Sequence, residues 1–359
     1  MQINPSSKNK LDAIQFFRCA AIMFVVYAHS FDRIERYVDL GHYNFLSDLA
    51  HFARSGVDMF FIISGFIMSY ITHADIYNNK FSWGTFMYKR ITRIAPMYWL
   101  VTLAVLILLK VAPALFYNTT TNLAHTVGSF LFVPVASPEG KFAPLLGVGW
   151  TLNLEMYFYL TLSLVIIIFR EKYLTSFFVL LLLSVSAGYL FGHRENLYLY
   201  SLITNPILFE FFMGIMVYHI YSSVRQSNND FRWYVAFIIS ILVLVLTIFY
   251  RLPDDMRFIY WGGSYAVLIL STLVLFSSCN FLRILIKIGD ASYTIYLTHY
   301  FVISGFYYAL TKSGYDFSQW LMLSVLTAMS LSAFFGYFAY RLIEMNITAV
   351  FKKYVPKGV

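Results

Sequence analysis

Charge is scarce in this chain. Asp, Glu, Lys and Arg make up 12% of its 359 residues, about half the share in a soluble domain. That excludes a water-exposed globular enzyme, which needs a polar surface. Cysteine is scarcer still, with only Cys19 and Cys279. They offer neither a disulfide framework nor metal-ligand spacing, so no metal is expected. Cys19 lies in an apolar run and reads as a small buried residue, not a nucleophile. No internal repeat is visible, which counts against a transporter built from inverted halves. The net charge is +8, but the cations sit in short loops between apolar runs. Topology explains them there, and nucleic acid is not an expected partner.

Apolar surface is abundant. Hydrophobic residues make up 59% of the chain and aromatic residues 20%. Runs of about 17 to 24 apolar residues recur, each long enough to cross a bilayer. They fall near 11–30, 56–73, 94–112, 151–169, 173–191, 203–221, 233–250, 259–277, 292–311 and 319–342. A shorter run, Leu123 to Val135, is cut by Pro134 and polar flanks and reads as re-entrant or interfacial. Lys8 and Lys10 resemble a signal-peptide flank. The stretch after them is too long, contains Arg18 and lacks a small-residue cleavage site, so a permanent first span is expected. With a cytoplasmic N-terminus the loop cations divide about 15 inside to 9 outside, which favours N-in, C-in. The expected fold is an all-α integral membrane bundle of about ten transmembrane helices. Residues 1–345 form one domain in this reading, and 346–359 a short cytoplasmic tail.

The first span carries the most informative residues. Arg18 and His29 lie in an otherwise apolar segment, where a charge costs several kcal/mol unless it is paired or faces a polar cavity. Eleven residues separate them, which returns a helix to within roughly 20° of its start and spans about 16 Å. They therefore share a face, with Gln15, Ile22 and Val25 near the same stripe.

Further polar groups follow. Met87–Pro96 reads as a cytoplasmic loop in which Arg90 and Arg93, at i, i+3, project to one side. Guanidinium forks suit phosphate oxygens, although basic flanks more often only obey the topology rule. In Gly147-Val148-Gly149-Trp150-Thr151-Leu152-Asn153-Leu154-Glu155, a glycine-flanked turn opens a span that runs inward. Glu155 should lie towards the outer side, near the depth of His29, as a carboxylate able to orient an imidazole base. Separate hydrogen bonding of each is the plainer alternative. In Ser292-Tyr293-Thr294-Ile295-Tyr296-Leu297-Thr298-His299, His299 should lie near the depth of Arg18. A polar track would then run from Arg90 and Arg93 past Arg18 and His299 to Glu155 and His29. Glu210 is a buried acid without an obvious partner, best read as structural. Ser64 and Gly65 read as packing residues that let helices approach.

These strings together resemble acyltransferase family 3. The resemblance rests on Phe17-Arg18 through His29, Gly56-Val57-Asp58 with Phe60-Phe61 and Ser64-Gly65-Phe66, and Arg90-Ile91-Thr92-Arg93-Ile94. It continues through Trp150-Thr151-Leu152 with Glu155 and Phe158-Tyr159, Ser292-Tyr293 with Tyr296-Leu297 and His299, and Tyr340 with Glu344. Each string is weak alone, and their order is specific. The Gly56–Met68 and Gly149–Tyr159 strings look like the bacterial exopolysaccharide O-acetyltransferase branch. Met345-Asn346 stands where the family usually has proline, which puts only the local turn in doubt. Some relatives append an extracytoplasmic esterase-like domain, which is not expected here.

The resemblance implies a multi-pass protein of the bacterial inner membrane. It would transfer an acyl group, acetyl being the expected one, from cytoplasmic acyl-CoA to a hydroxyl of a polysaccharide or lipid-linked sugar. His29 and Glu155 would be the acid–base pair, Arg18 an anion stabiliser, and Arg90 and Arg93 the donor-phosphate clamp. Gln15, Trp150, Tyr293 and His299 are candidate channel or substrate residues. A covalent acyl-protein intermediate and direct transfer both fit. A flippase for a lipid-linked saccharide, or a non-catalytic export component, are the competing classes. A flippase would move sugar without modifying it, and a non-catalytic component would tolerate loss of Arg18 and His29.

Overall fold

The computed structural model describes residues 5–37, 44–111, 120–140, 143–192, 197–224, 230–276, 282–315 and 320–356. Cys279, Lys141, Arg194, Arg225 and Lys357 lie outside them, as do the side chains of Lys8 and Lys10. All regular structure among the described residues is helical. Eight helical stretches are long and apolar enough to cross a membrane. One of them, Gly147–Phe191, has 45 residues, which is two crossings rather than one. It turns at Arg170–Lys172, where Arg170 takes φ +48°. A further helix of 21 residues, Ser292–Lys312, is outside the eight because tyrosines, His299 and Lys312 lower its hydropathy. The chain is an all-α integral membrane protein.

It divides into two compact units, each built from separated stretches. The first comprises residues 1–70 and 210–342. Its helices are α1 (Pro5–Ile34), α2 (Asn44–Ala53), most of α3 (Gly56–Tyr77), α9 (Leu208–Val224), α10 (Phe231–Phe249), α11 (Ser264–Leu275), α12 (Arg283–Asp290), α13 (Ser292–Lys312) and α14 (Leu321–Ala339). The second comprises residues 71–209 and 343–359. It holds α4 (Trp83–Val111), α5 (Leu123–Phe130), α6 (Trp150–Phe169), α7 (Tyr173–Phe191), α8 (Tyr198–Ile203) and α15 (Met345–Lys352).

In the first unit α1 packs against α2, α12, α13 and α14. Its apolar face, with Ile14, Phe17 and Ala21, enters a core shared with Ile62, Ile63 and Phe66 of α3 and Ile269 and Leu273 of α11. α3 and α9 cross at two glycines: a Cβ on Gly65 would stand 2.0 Å from the Phe211 carbonyl oxygen, and one on Gly214 2.0 Å from that of Ile62. Only glycine admits this approach, the small-residue contact that substitutes in lipid for hydrophobic association. Ile238, Leu242, Leu246 and Phe249 of α10 are exposed. Their three- and four-residue spacing makes one outward apolar face, as lipid solvation requires.

In the second unit α6 packs against α4 and α7. α4 begins at Trp83, so Arg90 and Arg93 stand inside a helix where a loop was expected. The Ser82 hydroxyl accepts from Thr85 N at 3.5 Å near the helix start, and no glycine or proline interrupts residues 85–93. The short run opens with an Asn122 cap on His125 N at 2.8 Å and stops as α5 at Phe130, before Pro134. Eight residues are too few to cross a bilayer.

Candidate active site

In the first unit the polar stripe of α1 meets α13. Arg18 Nε donates to Ser292 Oγ at 3.1 Å, the first residue of α13. Further along both helices the His29 ring stacks on His299 at 5.3 Å between centroids and tilts against Tyr300 at 4.6 Å. Numbers rise together on the two helices, so α1 and α13 run in the same direction. His29 Nδ1 lies 2.9 Å from Tyr300 Oη and 3.4 Å from Asp32 Oδ2. Arg54 Nη2 donates to Asp32 Oδ1 at 3.0 Å. His299 is fully buried, with Nδ1 3.2 Å from the Ile295 carbonyl and Nε2 without a partner. Gln15 Oε1 is also buried and unpartnered. Tyr293 stands next to Ser292 at the start of α13.

His299 is therefore level with His29, not with Arg18 as the sequence suggested. The reason lies before α13. The short α12 packs along α1, so α13 starts at the level of Arg18, and seven residues carry His299 up to His29.

In the second unit Glu155 accepts a hydrogen bond from Tyr159 Oη, one turn later on α6. Arg90 lies against both Tyr159 and Glu155, and its Nε is buried without a partner. Arg93 Nη1 donates to the carboxylate of Glu344, which is 2% exposed. The two arginines thus divide: one faces Glu155 and Tyr159, the other is held by Glu344. Tyr98, midway along α4, stands against Gly149, so α6 starts beside the middle of its neighbour. Glu155 consequently sits level with Arg90 rather than at the opposite end of a polar track. The sequence could not show that α6 begins beside the middle of α4. The expected partners His29 and Glu155 belong to different units, and each has neighbours of its own. Trp150 and Asn153, on the first turn of α6, border a cleft with Val133, Pro134, Val135, Ala143 and Pro144. Asn153 Oδ1 there is buried and unpartnered.

One charged cluster in the first unit was not foreseen. Arg257 donates from Nε to Asp58 Oδ1 at 2.9 Å and from Nη2 to Oδ2 at 2.5 Å, and its guanidinium lies 5.1 Å over the Trp261 ring. Glu210 stands beside Asp58, fully buried, and finds no donor for either oxygen. Two carboxyl groups can hydrogen-bond to each other only through a shared proton, and one such proton with the Arg257 charge would leave the trio neutral. The bulk of Glu210 fits because residue 262 is glycine: a Cβ there would stand 2.9 Å from Glu210 Cγ. The backbone widens at this point into a π-helical turn, Phe258–Gly263. A signal was available. Asp58, Glu210 and Arg257 each lie at the start of an apolar run entered from the same side in the predicted topology.

A helical membrane bundle with an imidazole, arginines and carboxylates inside its apolar spans fits a membrane-embedded acyltransferase. The chain belongs to acyltransferase family 3, whose profile, described as an acyltransferase domain, matches residues 11–340. It is 31% identical over 294 residues to the exopolysaccharide production protein ExoZ of Rhizobium meliloti, covering 81% of this chain and 88% of that protein. It is 26% identical over 344 residues to nodulation protein 10 of Rhizobium leguminosarum bv. viciae, covering 88% and 87%. An uncharacterized protein of Haemophilus influenzae is 29% identical over 218 residues, 54% of this chain and 86% of that one. No solved structure matches the chain.

Proposed function

We propose that this acyltransferase moves an acetyl group from cytoplasmic acetyl-CoA to a hydroxyl of an exported or cell-surface polysaccharide. It works in the bacterial inner membrane with both termini inside. The similarity to an exopolysaccharide production protein over four-fifths of the chain supports the acceptor class. The loop-charge bias supports the orientation. The observation that carries the chemistry is His29: a partly exposed imidazole in a membrane helix, with both contacts on Nδ1. That leaves Nε2 to take the proton of a sugar hydroxyl as its oxygen attacks the thioester carbonyl. The new ester forms as the carbon–sulfur bond breaks, and the thiolate leaves with coenzyme A.

Arg18 stabilises an anion on the same face, either the oxyanion or a donor phosphate. Arg90, buried with an unpaired Nε, grips the donor phosphates, while Arg93, expected beside it in that role, is held by Glu344. Glu155, beside Tyr159 and Arg90, is proposed to contribute to the acid–base chemistry, and a double variant with His29→Ala tests whether the two residues share a step. Purified protein supplied with isotope-labelled acetyl-CoA and polysaccharide should yield labelled ester, and His29→Ala should yield none. Movement of saccharide across the membrane without labelling would replace the enzyme by a flippase.

A further inference from the structure

We propose that Asp32 is the positioning residue of His29, fixing its tautomer so that Nε2 is the base. The inference rests on the reading of His29 as the base and adds the group that prepares it. A carboxylate can only accept hydrogen bonds. Asp32 Oδ2 lies 3.4 Å from His29 Nδ1. A bare Nδ1 lone pair would therefore face a carboxylate oxygen, an arrangement that repels. A neutral ring is favoured there with its hydrogen on Nδ1, and that tautomer places the lone pair on Nε2.

Three further features support the role. Asp32 and His29 are three residues apart on α1, so both project from one side of the same rigid helix. The other carboxylate oxygen of Asp32 is held by Arg54 at 3.0 Å, which stops the carboxylate from rotating away. Rings from α13 close the remaining sides: His299 stacks on His29, and Tyr300 Oη approaches Nδ1 at 2.9 Å. Tyr300 can share the Nδ1 hydrogen but, having a proton of its own, cannot dictate where that hydrogen sits. The carboxylate can.

The charge argument runs the same way. When Nε2 takes the hydroxyl proton the ring becomes a cation, and Asp32 is the anion beside it. Asp32, His299 and Tyr300 meet the ring itself, Arg54 holds Asp32, and Arg33, Arg36 and Arg54 act on Tyr300 beside it. Among these, Asp32 is the acid and the others are basic or neutral. Removing it takes away the carboxylate that faces the imidazolium.

The test compares wild type, Asp32→Asn, Asp32→Glu and His29→Ala as purified full-length proteins, by steady-state kinetics against pH with acetyl-CoA. A fully buried aspartate of this kind is worth about 10⁴-fold in kcat in the serine-protease triad. Asp32 and His29 are partly exposed, at 34% and 25%, so Asp32→Asn should lose about 10- to 100-fold in kcat. Donor KM should stay unchanged. The acidic limb of the rate profile should move to lower pH, because the neighbouring anion is gone. Asp32→Glu should recover part of the rate and return the limb towards its original position. A merely structural aspartate would change the amount of assembled protein without moving the limb. An assembled Asp32→Asn with wild-type kcat, or with an unmoved limb, overturns the positioning role while leaving His29 as the base. Activity in His29→Ala overturns the base itself and the positioning role with it. Should Asp32→Asn not assemble, Asp32→Glu carries the decision: a limb at the wild-type position with reduced kcat supports the role, and a displaced limb refutes it.

Discussion

Replacing Asp58 should cost less than its buried ion pair implies, because a second carboxyl stands ready. Asp58 is fully buried and receives two hydrogen bonds from Arg257. Removing one partner of such a pair ordinarily costs about 3 to 5 kcal/mol, since the other charge is left buried and alone. In Asp58→Asn, however, Glu210 can give up the shared proton and become the counter-ion of Arg257. The cost should then fall to about 1 to 2 kcal/mol, near that of one charged hydrogen bond. Glu210→Gln should cost under about 1 kcal/mol, because an amide N–H can replace the shared proton in the contact with Asp58. The double variant Asp58→Asn/Glu210→Gln strands Arg257 and should lose the full ~3 to 5 kcal/mol. Arg257→Met should match it, leaving two acids and no cation. The excess of the double loss over the summed singles is thus about 1 to 2 kcal/mol, well beyond ordinary additivity error. Denaturant or thermal unfolding of the purified protein in one detergent measures all four. If the double loss equals the sum of the singles, or if Asp58→Asn alone is as damaging as Arg257→Met, Glu210 does not substitute and the shared-proton account is wrong.

Three other outcomes follow from the geometry. Arg90→Ala should weaken use of the acyl-CoA donor by about 1.5 to 3 kcal/mol, with poor rescue by lysine; an unchanged donor KM and rate in folded protein would remove the phosphate role. Arg93→Ala should instead resemble Glu344→Ala, and the two losses should not add, since each removes one end of a single ion pair; additive losses in unfolding experiments would show that Arg93 acts elsewhere. Glu155→Gln combined with His29→Ala should be little worse than the poorer single variant if the two share a step, and multiplicative losses would place Glu155 with Arg90 and Tyr159 alone.

The helices were legible because lipid leaves so little freedom. A run such as 233–250 has one stable state in hydrocarbon, and it appears as α10. The common face of Arg18 and His29 was equally legible, because it depends only on helical pitch. What failed was depth. Counting residues from the start of an apolar run assumes that every helix begins at the same membrane boundary. α13 begins beside Arg18 because α12 precedes it along α1, and α6 begins beside Tyr98 rather than at the end of α4. Both displacements come from tertiary packing of amphipathic or irregular segments, which hydropathy does not register. Asp32 was passed over for a related reason. It lies at the polar end of the first run and reads as a loop residue, whereas α1 continues as a helix to Ile34.

The Glu344–Arg93 ion pair sets an order of events during synthesis. Arg93 is made early, and its partner lies 251 residues further along the chain. At a translation rate of about 5 to 20 residues per second, the arginine waits on the order of ten seconds or more for its carboxylate. Until then the second unit lacks α15, which packs against α4, and the Tyr88 hydroxyl lacks the Phe351 carbonyl that it reaches at 3.0 Å. A nascent chain stalled before Glu344 therefore holds Arg93 without this carboxylate and α4 without α15.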